Sequence, residues 1–407
     1  MISLDSVASP NVAVTELLNS LCIERRARLD QVMGELNVPA LLTSDPFAIR
    51  YITGTRNMLV HNMTGPDRLV LAFADGPTVL WEFAGCEHLW SGHEGVDEIR
   101  EAPGLNAKKT PNFRNEAIAF AREIADLCHE RFAGDLRLAV EGLDTPVTDA
   151  LRASGLELSD ATWPLQTAMA IKQPAEIEAM RQAVAVTESA TAALHRGIEP
   201  GRTEQEVWAE FHRALIACGG ELVVARLLQA GLRTFPYFQE ASNHQLSAGD
   251  LVCFDTDAVA LHGYSVDFSR TFFCGDGEPT VRQRFLHNLA SDQLEHNAAN
   301  LEPGRSFEQF AEMAFDVPEP YRKYGYYQLA HGLGLAGGHP NIPRASDGAY
   351  PLGGCFEPGM VICVESYVGD PVTRQGVKLE NQFLITDDGT EVMTTYPFDG
   401  RLHATMP

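Results

Sequence analysis

Six potential metal ligands follow one another through the second half of this chain, each beside a strand-like run of apolar residues: Asp255, Asp257, Asp267, His331, Glu365 and Glu380. Carboxylates and an imidazole suit divalent ions such as Mn, Fe, Co or Zn, and bridging carboxylates can hold two ions about 3.5–4 Å apart. Any one of these residues alone is more often a helix cap, a turn residue or a surface residue. The ordered set predicts a metal site, and therefore a fold that brings distant strands to one place.

The sequence around the ligands predicts how strands present them. Residues 251–254 form an apolar strand that leads into Asp255 and Asp257, and the run 263–273 predicts the returning strand of a hairpin that contains Asp267. Two aspartates on facing strands can point at one spot, although the sequence leaves open whether Asp255 or Asp257 is the direct ligand. Lys378 lies two positions before Glu380, so a strand would place both side chains on one face.

Length and composition limit the class of protein. The chain has 407 residues with 45% hydrophobic content, enough for about two domains with their own cores. The formal net charge of −24 disfavours binding to a phosphate backbone, so nucleic acid is not an expected partner. No apolar run reaches about 18 residues, and the eight cysteines lack a C-x-x-C pair. We therefore expect a cytoplasmic protein with reduced thiols and no membrane partner.

The first part of the chain alternates between helical and strand patterns. Helices are expected over 23–36 and 117–132, and strands over 40–43, 69–73, 78–83 and 138–140. A long amphipathic helix then begins near Pro174, whose position early in a helix is favourable. We place a domain boundary near Pro164, which gives an N-terminal α/β domain over 1–164 and a C-terminal metal-binding domain over 165–407.

Several motifs together resemble the creatinase/aminopeptidase superfamily, which includes methionine aminopeptidase, prolidase and creatinase. They are the runs 171–176, 249–257, 267–271, 331–334, 357–360 and 380–382. The resemblance implies an α/β (α+β) protein, with a creatinase-like N-terminal lobe and a pita-bread domain in which helices cover a curved antiparallel sheet. It also implies a homodimer and two divalent metal ions (Fe, Mn, Zn or Co), bound by Asp255 or Asp257, Asp267, His331, Glu365 and Glu380.

Three departures from the peptidase pattern disfavour a standard aminopeptidase. Asp257 stands where the peptidases usually have glycine, Tyr237 stands where many have a substrate-contacting histidine, and His339 matches their second histidine only approximately. These departures, with the runs 226–228, 233–240 and 394–399, resemble the dimethylsulfoniopropionate lyases of the DddP type. That resemblance implies a β-elimination, in which a small carboxylate substrate loses dimethyl sulfide to give acrylate.

The resemblance leaves the general base open. The lyases have an aspartate a few residues after the metal histidine, whereas this chain has glycine at 337, so His339 and Tyr326 are the candidate catalytic residues. Phe235, Tyr237 and Phe238 are candidate substrate-binding residues, because a sulfonium or quaternary ammonium can lie against ring faces; ordinary core packing explains them equally well.

Two other functions remain open. The ligand set also fits a hydrolase of C–N bonds, either Xaa-Pro dipeptidase-like or creatinase-like. The other is a binding protein that has kept the fold without catalysis, which the complete ligand set disfavours because clustered carboxylates without compensating charge destabilise a fold.

Overall fold

The computed structural model describes residues 12–132, 134, 136–345 and 353–403. Its contacts divide the chain into two compact units. The first comprises Met1–Met169 and Gln173–Ala175, and the second comprises Ala170–Lys172 and Glu176–Pro407.

The first unit is built on a mixed six-stranded sheet. In chain order its strands are β1 (Ala40–Thr43), β2 (Leu69–Phe73), β3 (Thr78–Glu82), β4 (Glu98–Glu101), β5 (Arg137–Glu141) and β6 (Glu157–Asp160). Across the sheet the order is β4-β3-β2-β1-β5-β6, with β1 parallel to β5 and antiparallel to β2. The strands expected from the sequence in this part of the chain are present, with ends that differ by one residue at most.

Helices of the first unit are α1 (Val12–Glu35), α2 (Pro46–Thr53), α3 (Leu59–Asn62), α4 (Phe113–Arg131), α5 (Thr145–Ala153) and α6 (Thr162–Ala170). Helix α2 begins at a cap in which the Asp45 carboxylate accepts the backbone N–H groups of Phe47 and Ala48. Helix α4 buries Phe120 and Ile124 in the same core as Leu42 and Leu71 of the sheet. This burial of apolar side chains is the main stabilising term of the unit.

The second unit contains three antiparallel sheets. Its strands are β7 (Leu222–Val223), β8 (Leu228–Ala230), β9 (Leu251–Asp255), β10 (Ala258–Val259), β11 (Ser265–Val266), β12 (Ser269–Phe273), β13 (Gln328–Leu333), β14 (Gly337–Pro343), β15 (Val361–Asp370), β16 (Gln375–Thr386) and β17 (Gly389–Val392). The sheet orders are β11-β10-β7, β12-β9-β8 and β14-β13-β15-β16-β17.

Helices of the second unit are α7 (Pro174–Arg196), α8 (Glu204–Ala217), α9 (Val281–Ala298) and α10 (Phe307–Glu312). Helix α9 packs against β15 and β16, and its Leu286 and Leu294 share a core with Ile362, Val364 and Val368 of β15. Successive side chains of a strand point to opposite faces. Residues 363, 365 and 367 of β15 therefore point away from this core, and so do residues 378 and 380 of β16.

The return from β9 differs from the single strand expected over 263–273. A short 3₁₀ turn occupies Leu261–Gly263, the two-residue strand β11 follows, and regular pairing with β9 begins again only at Ser269. The Thr256 hydroxyl bridges the break, since it donates to the carbonyl of Val266 and accepts the N–H of Phe268. Asp267 thus lies between β11 and β12, outside regular strand pairing. The direction of its side chain is therefore not fixed by the alternation of side chains along a strand.

Among the described residues, no helix is both long and apolar enough to cross a membrane. All eight cysteines are free thiols, and Cys253 and Cys363 are among the buried ones.

Candidate metal centre

Three strand pairings bring the predicted ligands toward one point. Asp255, the last residue of β9, lies opposite Ser269, the first residue of β12. Glu365 of β15 lies opposite Glu380 of β16, and His331 of β13 lies opposite Cys363 of β15. Strand β12 also contacts β16, so the face of the three-stranded sheet with Asp255 meets the face of the larger sheet with both glutamates.

His331 lies at the centre of the carboxylates. Its Nε2 atom is 3.3 Å from Glu365 Oε1, 3.5 Å from Glu380 Oε1 and 3.7 Å from Asp267 Oδ2. One carboxylate oxygen from each of Asp255, Asp267 and Glu380 also lies within 4.8 Å of the other two. Five of the six residues expected as ligands are therefore in one cluster.

Asp257, the sixth, follows Asp255 by two residues and has an unusual backbone. Its φ of +39° lies in the left-handed region that glycine adopts most easily, in accord with the glycine expected there in the peptidases. Burial, with the negative charges of Asp255 and Glu380, raises the pKa of Asp257 to about 8. Asp257 is therefore close enough to both carboxylates for their charges to act on it.

A buried lysine is the main positive charge inside the cluster. Lys378 Nζ is 2.7 Å from Glu380 Oε2, 2.9 Å from Glu365 Oε2 and 3.4 Å from Asp255 Oδ2, and it donates to Ser269 Oγ at 2.7 Å. Its side chain is fully buried. Although burial alone would lower the pKa of Lys378, the three carboxylates raise it well above its ordinary value. The lysine is therefore charged and holds these carboxylates in place.

Lysine compensates only part of the charge. Burial and neighbouring carboxylates raise the pKa values of Asp267 and Glu380. Burial, the largest single effect, acts to raise the pKa values of Asp255 and Glu365, but Lys378 together with hydrogen bonds from Tyr237 and His331 lowers both. In a metal-bound state, with His331 neutral and all five carboxylates ionised, one lysine would leave four negative charges, which two divalent cations would neutralise.

Unsatisfied oxygens in the cluster also fit bound cations. Within the described parts of the chain, Asp255 Oδ1, Asp267 Oδ1 and Glu380 Oε1 are buried without a hydrogen-bond partner. Buried polar atoms are nearly always satisfied by a hydrogen bond or by an ion. The donor set of carboxylates plus one imidazole is suited to borderline divalent metals, so the residues present fit a metal centre.

Aromatic side chains cover one side of the cluster. The Tyr237 hydroxyl donates to Asp255 Oδ2 at 2.7 Å, and its ring centroid lies 4.8 Å from that of Phe238 and 5.6 Å from that of Tyr326. Lys378 Nζ lies 4.8 Å from the Tyr326 ring centroid. Tyr327 continues the group at 4.9 Å from Tyr326. We call Tyr237, Phe238, Tyr326 and Tyr327 the aromatic group.

Phe238 is the exposed member with a strained backbone. Its side chain is 55% exposed, and its φ of +66° is rare for a bulky residue. Such strain is found mostly at functional sites. Phe235 packs 5.0 Å from the ring of Tyr324, and it also meets Gly369 beside Tyr367, whose ring lies 4.9 Å from that of Tyr237.

The two candidate catalytic residues occupy different places. Tyr326 belongs to the aromatic group, and burial with nearby Glu365 and Asp255 raises its pKa, so it keeps its proton. His339 on β14 lies 5.6 Å from the Phe307 ring. Burial and Lys172 lower the pKa of His339, and the opposing negative charge is Glu357 rather than a residue of the cluster. Tyr326 therefore lies beside the cluster but does not have the protonation state of a base. His339 has that protonation state and lies on β14, which pairs with the strand of His331.

The sequence interpretation missed Cys363. Its Sγ atom, the His331 imidazole and a Glu380 carboxylate oxygen lie within 4.8 Å of one another. The signal was available, because Cys363 lies two residues before Glu365 on the same strand and must share its face.

Comparison with known proteins identifies the family. The model of metallopeptidase family M24 matches residues 178–387, which contain the whole cluster. The chain belongs to this family. Family M24 is described as a family of metallopeptidases. Bound metal would account for the excess of carboxylates and for the buried oxygens without hydrogen-bond partners in the cluster.

Two M24 relatives extend the similarity over most of the chain. It is 34% identical to a dimethylsulfoniopropionate lyase DddP of Roseovarius nubinhibens, over 92% of this chain and 86% of the lyase. The DddP lyase of Roseobacter denitrificans is 32% identical over 93% of this chain and 86% of that protein. Both alignments extend well beyond the family match, into the N-terminal part of the chain.

A solved structure establishes the fold. The Xaa-Pro dipeptidase of Bacillus anthracis superposes with a TM-score of 0.74 at 22% identity, covering 93% of this chain and 99% of the dipeptidase. The α/β architecture with a pita-bread domain, expected from the sequence, is thus confirmed.

Proposed function

We propose that this M24 protein is a metal-dependent lyase, which eliminates dimethyl sulfide from dimethylsulfoniopropionate or a close analogue to leave acrylate. The observation that supports this most directly is the hydrogen bond from the Tyr237 hydroxyl to Asp255. It ties the aromatic group to the carboxylate cluster, so a small substrate with one anionic and one cationic end would find a partner for each. The similarity to two DddP lyases over most of the chain supports the same reaction.

The metal ligands in this proposal are Asp255, Asp257, Asp267, His331, Glu365 and Glu380, and the ions are two of Fe, Mn, Zn or Co. When bound, such ions supply positive charge that stabilises the anion developing beside the substrate carboxylate as its carbon-bound proton leaves. Lys378 keeps Glu365 and Glu380 fixed for this task through its contacts of 2.9 and 2.7 Å.

The aromatic group has the second role. The rings of Tyr326, Tyr327 and Phe238 lie within 4.9 to 6.1 Å of one another, and Tyr327 and Phe238 are more than half exposed. A sulfonium against these faces would gain roughly 0.5–2 kcal/mol. Tyr326, which keeps its proton, would donate a hydrogen bond to the substrate. His339, neutral at pH 7, is the residue we propose as the proton acceptor.

The test is release of dimethyl sulfide from the metal-loaded protein, measured in the headspace. We expect Asp267→Ala to abolish both metal binding and sulfide release, because this residue has a buried oxygen that lacks a hydrogen-bond partner within the described residues and that a bound cation would satisfy. Glu240→Ala is a matched control, since Glu240 pairs with Arg226 at the surface. An Asp267→Ala variant that keeps its metals and its activity would refute the site.

A prolidase-like hydrolase is the second candidate function, and the similarity of the fold to the Bacillus anthracis Xaa-Pro dipeptidase favours it. A parallel assay with an Xaa-Pro dipeptide separates the two. Dipeptide cleavage without sulfide release would replace the lyase by the hydrolase, whereas the reverse result would exclude the hydrolase.

A further inference from the structure

Cys363 lies inside the cluster, although the family's carboxylate and histidine set does not require it. Its side chain is fully buried on the face of β15 that contains Glu365, directly opposite His331 of β13. The Sγ atom has one weak hydrogen-bond contact, to the backbone carbonyl of Asp267 at 3.6 Å. The thiol is therefore aimed at the metal centre and is only weakly held by the protein.

The three side chains on this side of the cluster have the spacing of a metal site. His331 nitrogen, Cys363 sulfur and a Glu380 oxygen are all within 4.8 Å of one another. In a tetrahedral site with bonds of about 2.0 to 2.3 Å, ligand atoms are roughly 3.3 to 3.7 Å apart. A contraction of about 1 Å is small for three side chains closing on an ion.

A second observation points to a ligand at the same place. Glu380 is 1% exposed, and its Oε1 atom has no hydrogen-bond partner within the described residues. The other oxygen of Glu380 is already occupied by Lys378 at 2.7 Å and by Ser269 at 2.9 Å. The open Oε1 atom is on the side of His331, whose Nε2 is 3.5 Å away.

We propose that Cys363 is a direct ligand of the metal ion nearest His331, which makes this half of the centre a histidine, cysteine and glutamate site. The inference rests on the proposed metal centre and adds a ligand to it. On binding, the S–H bond breaks, a sulfur–metal bond forms, and the proton passes to the solvent buffer without any change of oxidation state. Thiolate favours zinc, iron(II) or cobalt over manganese, so Cys363 sets the metal preference of this position.

Cobalt(II) provides a readout that is independent of activity. The full-length protein is freed of metal by chelation and titrated with cobalt while the near-ultraviolet thiolate-to-cobalt charge-transfer band and the bound cobalt are measured. We expect the band in the wild type and its loss in Cys363→Ser, which should still bind cobalt through the remaining ligands. The preference for zinc over manganese should fall about tenfold or more in this variant.

Cys253→Ser is the matched control. Cys253 is also buried and also lies two residues before a proposed ligand, Asp255, but its sulfur contacts the Gly376 carbonyl at 3.2 Å and Thr271 Oγ1 at 3.3 Å. Its substitution should leave the band unchanged. A band that persists in Cys363→Ser, or that disappears in Cys253→Ser alone, would overturn the assignment.

The two proposals fail in different ways. Cobalt bound to the wild type without a charge-transfer band would refute the Cys363 ligand and leave the metal centre intact. No bound cobalt in the wild type would refute the metal centre itself. If Cys363→Ser does not fold, Cys363→Ala takes its place, and X-ray absorption of the zinc-loaded wild type decides without any substitution, since a sulfur neighbour at about 2.3 Å is either present or absent.

Discussion

Replacing Tyr237 by phenylalanine removes a single hydroxyl from the junction between the aromatic group and the metal centre. That hydroxyl donates to Asp255 Oδ2 at 2.7 Å, while Asp255 Oδ1 has no partner within the described residues. The same oxygen also lies 3.4 Å from Lys378 Nζ. A buried hydrogen bond to a charged acceptor contributes about 1.5–3 kcal/mol. Since each 1.4 kcal/mol is a factor of ten, Tyr237→Phe should weaken metal binding by up to about a hundredfold, the limit that applies when the whole contribution serves to orient Asp255 for the metal.

Metal affinity can be measured by competition with a chromogenic chelator, beside the kcat and KM of sulfide release. The phenylalanine ring keeps the aromatic contacts, so KM for a cationic substrate should change little while loss of metal lowers kcat. Tyr367→Phe is the control, because Tyr367 is buried 4.9 Å from the Tyr237 ring but donates to the Thr234 carbonyl. It should lower stability and leave metal affinity unchanged. Wild-type affinity and kcat in Tyr237→Phe would refute the idea that Tyr237 orients Asp255.

Three further results are expected. Phe238→Gly should raise the free energy of unfolding, measured in urea, by about 1 kcal/mol, because glycine adopts the left-handed backbone at φ +66° without strain. The same variant should raise KM, since it removes a ring of the aromatic group. A lower free energy of unfolding would contradict the proposed backbone strain. Gly337→Asp should increase sulfide release about tenfold or more, since a side chain there meets open space and would supply the carboxylate that the lyases have. Gly277→Asp, where a side chain is equally unobstructed, is the control. Equal rates in the two variants would show that a carboxylate at 337 does not act as the base. Metal-free protein should unfold at a lower temperature at pH 8 than at pH 5. The folded state keeps Asp257 protonated up to a pKa of about 8, whereas the unfolded chain releases that proton near pH 4, so folding becomes less favourable as the pH rises between these values. Asp257→Asn should remove much of this pH dependence, and greater stability at pH 8 would refute the prediction.

The sequence predicted the sheet elements well where local pattern decides them. Strand β1 has the expected ends, and β5 extends one residue beyond the expected 138–140 at each end, because short apolar runs between polar turns have few alternatives. The prediction of one strand over 263–273 was wrong. Apolar residues occur on both sides of Asp267, as in a continuous strand, but the backbone pairing is interrupted there. The Thr256 hydroxyl that replaces the ladder there comes from the connection after β9, about ten residues earlier in the chain, and no local pattern shows it.

The site could be predicted in its ligands but not in its chemistry. The sequence motifs identify the carboxylate residues. Once the strands are known, the alternation of side chains fixes the sheet face to which each carboxylate points. The position of His339 depends instead on the β13–β14 pairing, whose register shifts twice between Gln328 and Gly332. Counting residues from His331 across such a hairpin does not give the direction of a side chain. Cys363 was missed for another reason, since a lone buried cysteine is ordinarily a packing residue.

Lys378 explains how so acidic a centre can fold before any metal is bound. Five carboxylates in one buried cluster would repel one another, yet Lys378 Nζ contacts Glu365, Glu380 and Asp255 at once. These three carboxylates are thereby held in place by one cation, while Asp267, whose pKa is raised well above its ordinary value, can retain a proton until metal replaces it. Metal uptake should therefore release protons, and Lys378→Met should leave the metal-free protein less stable at neutral pH because the desolvated carboxylates lose their internal counter-ion.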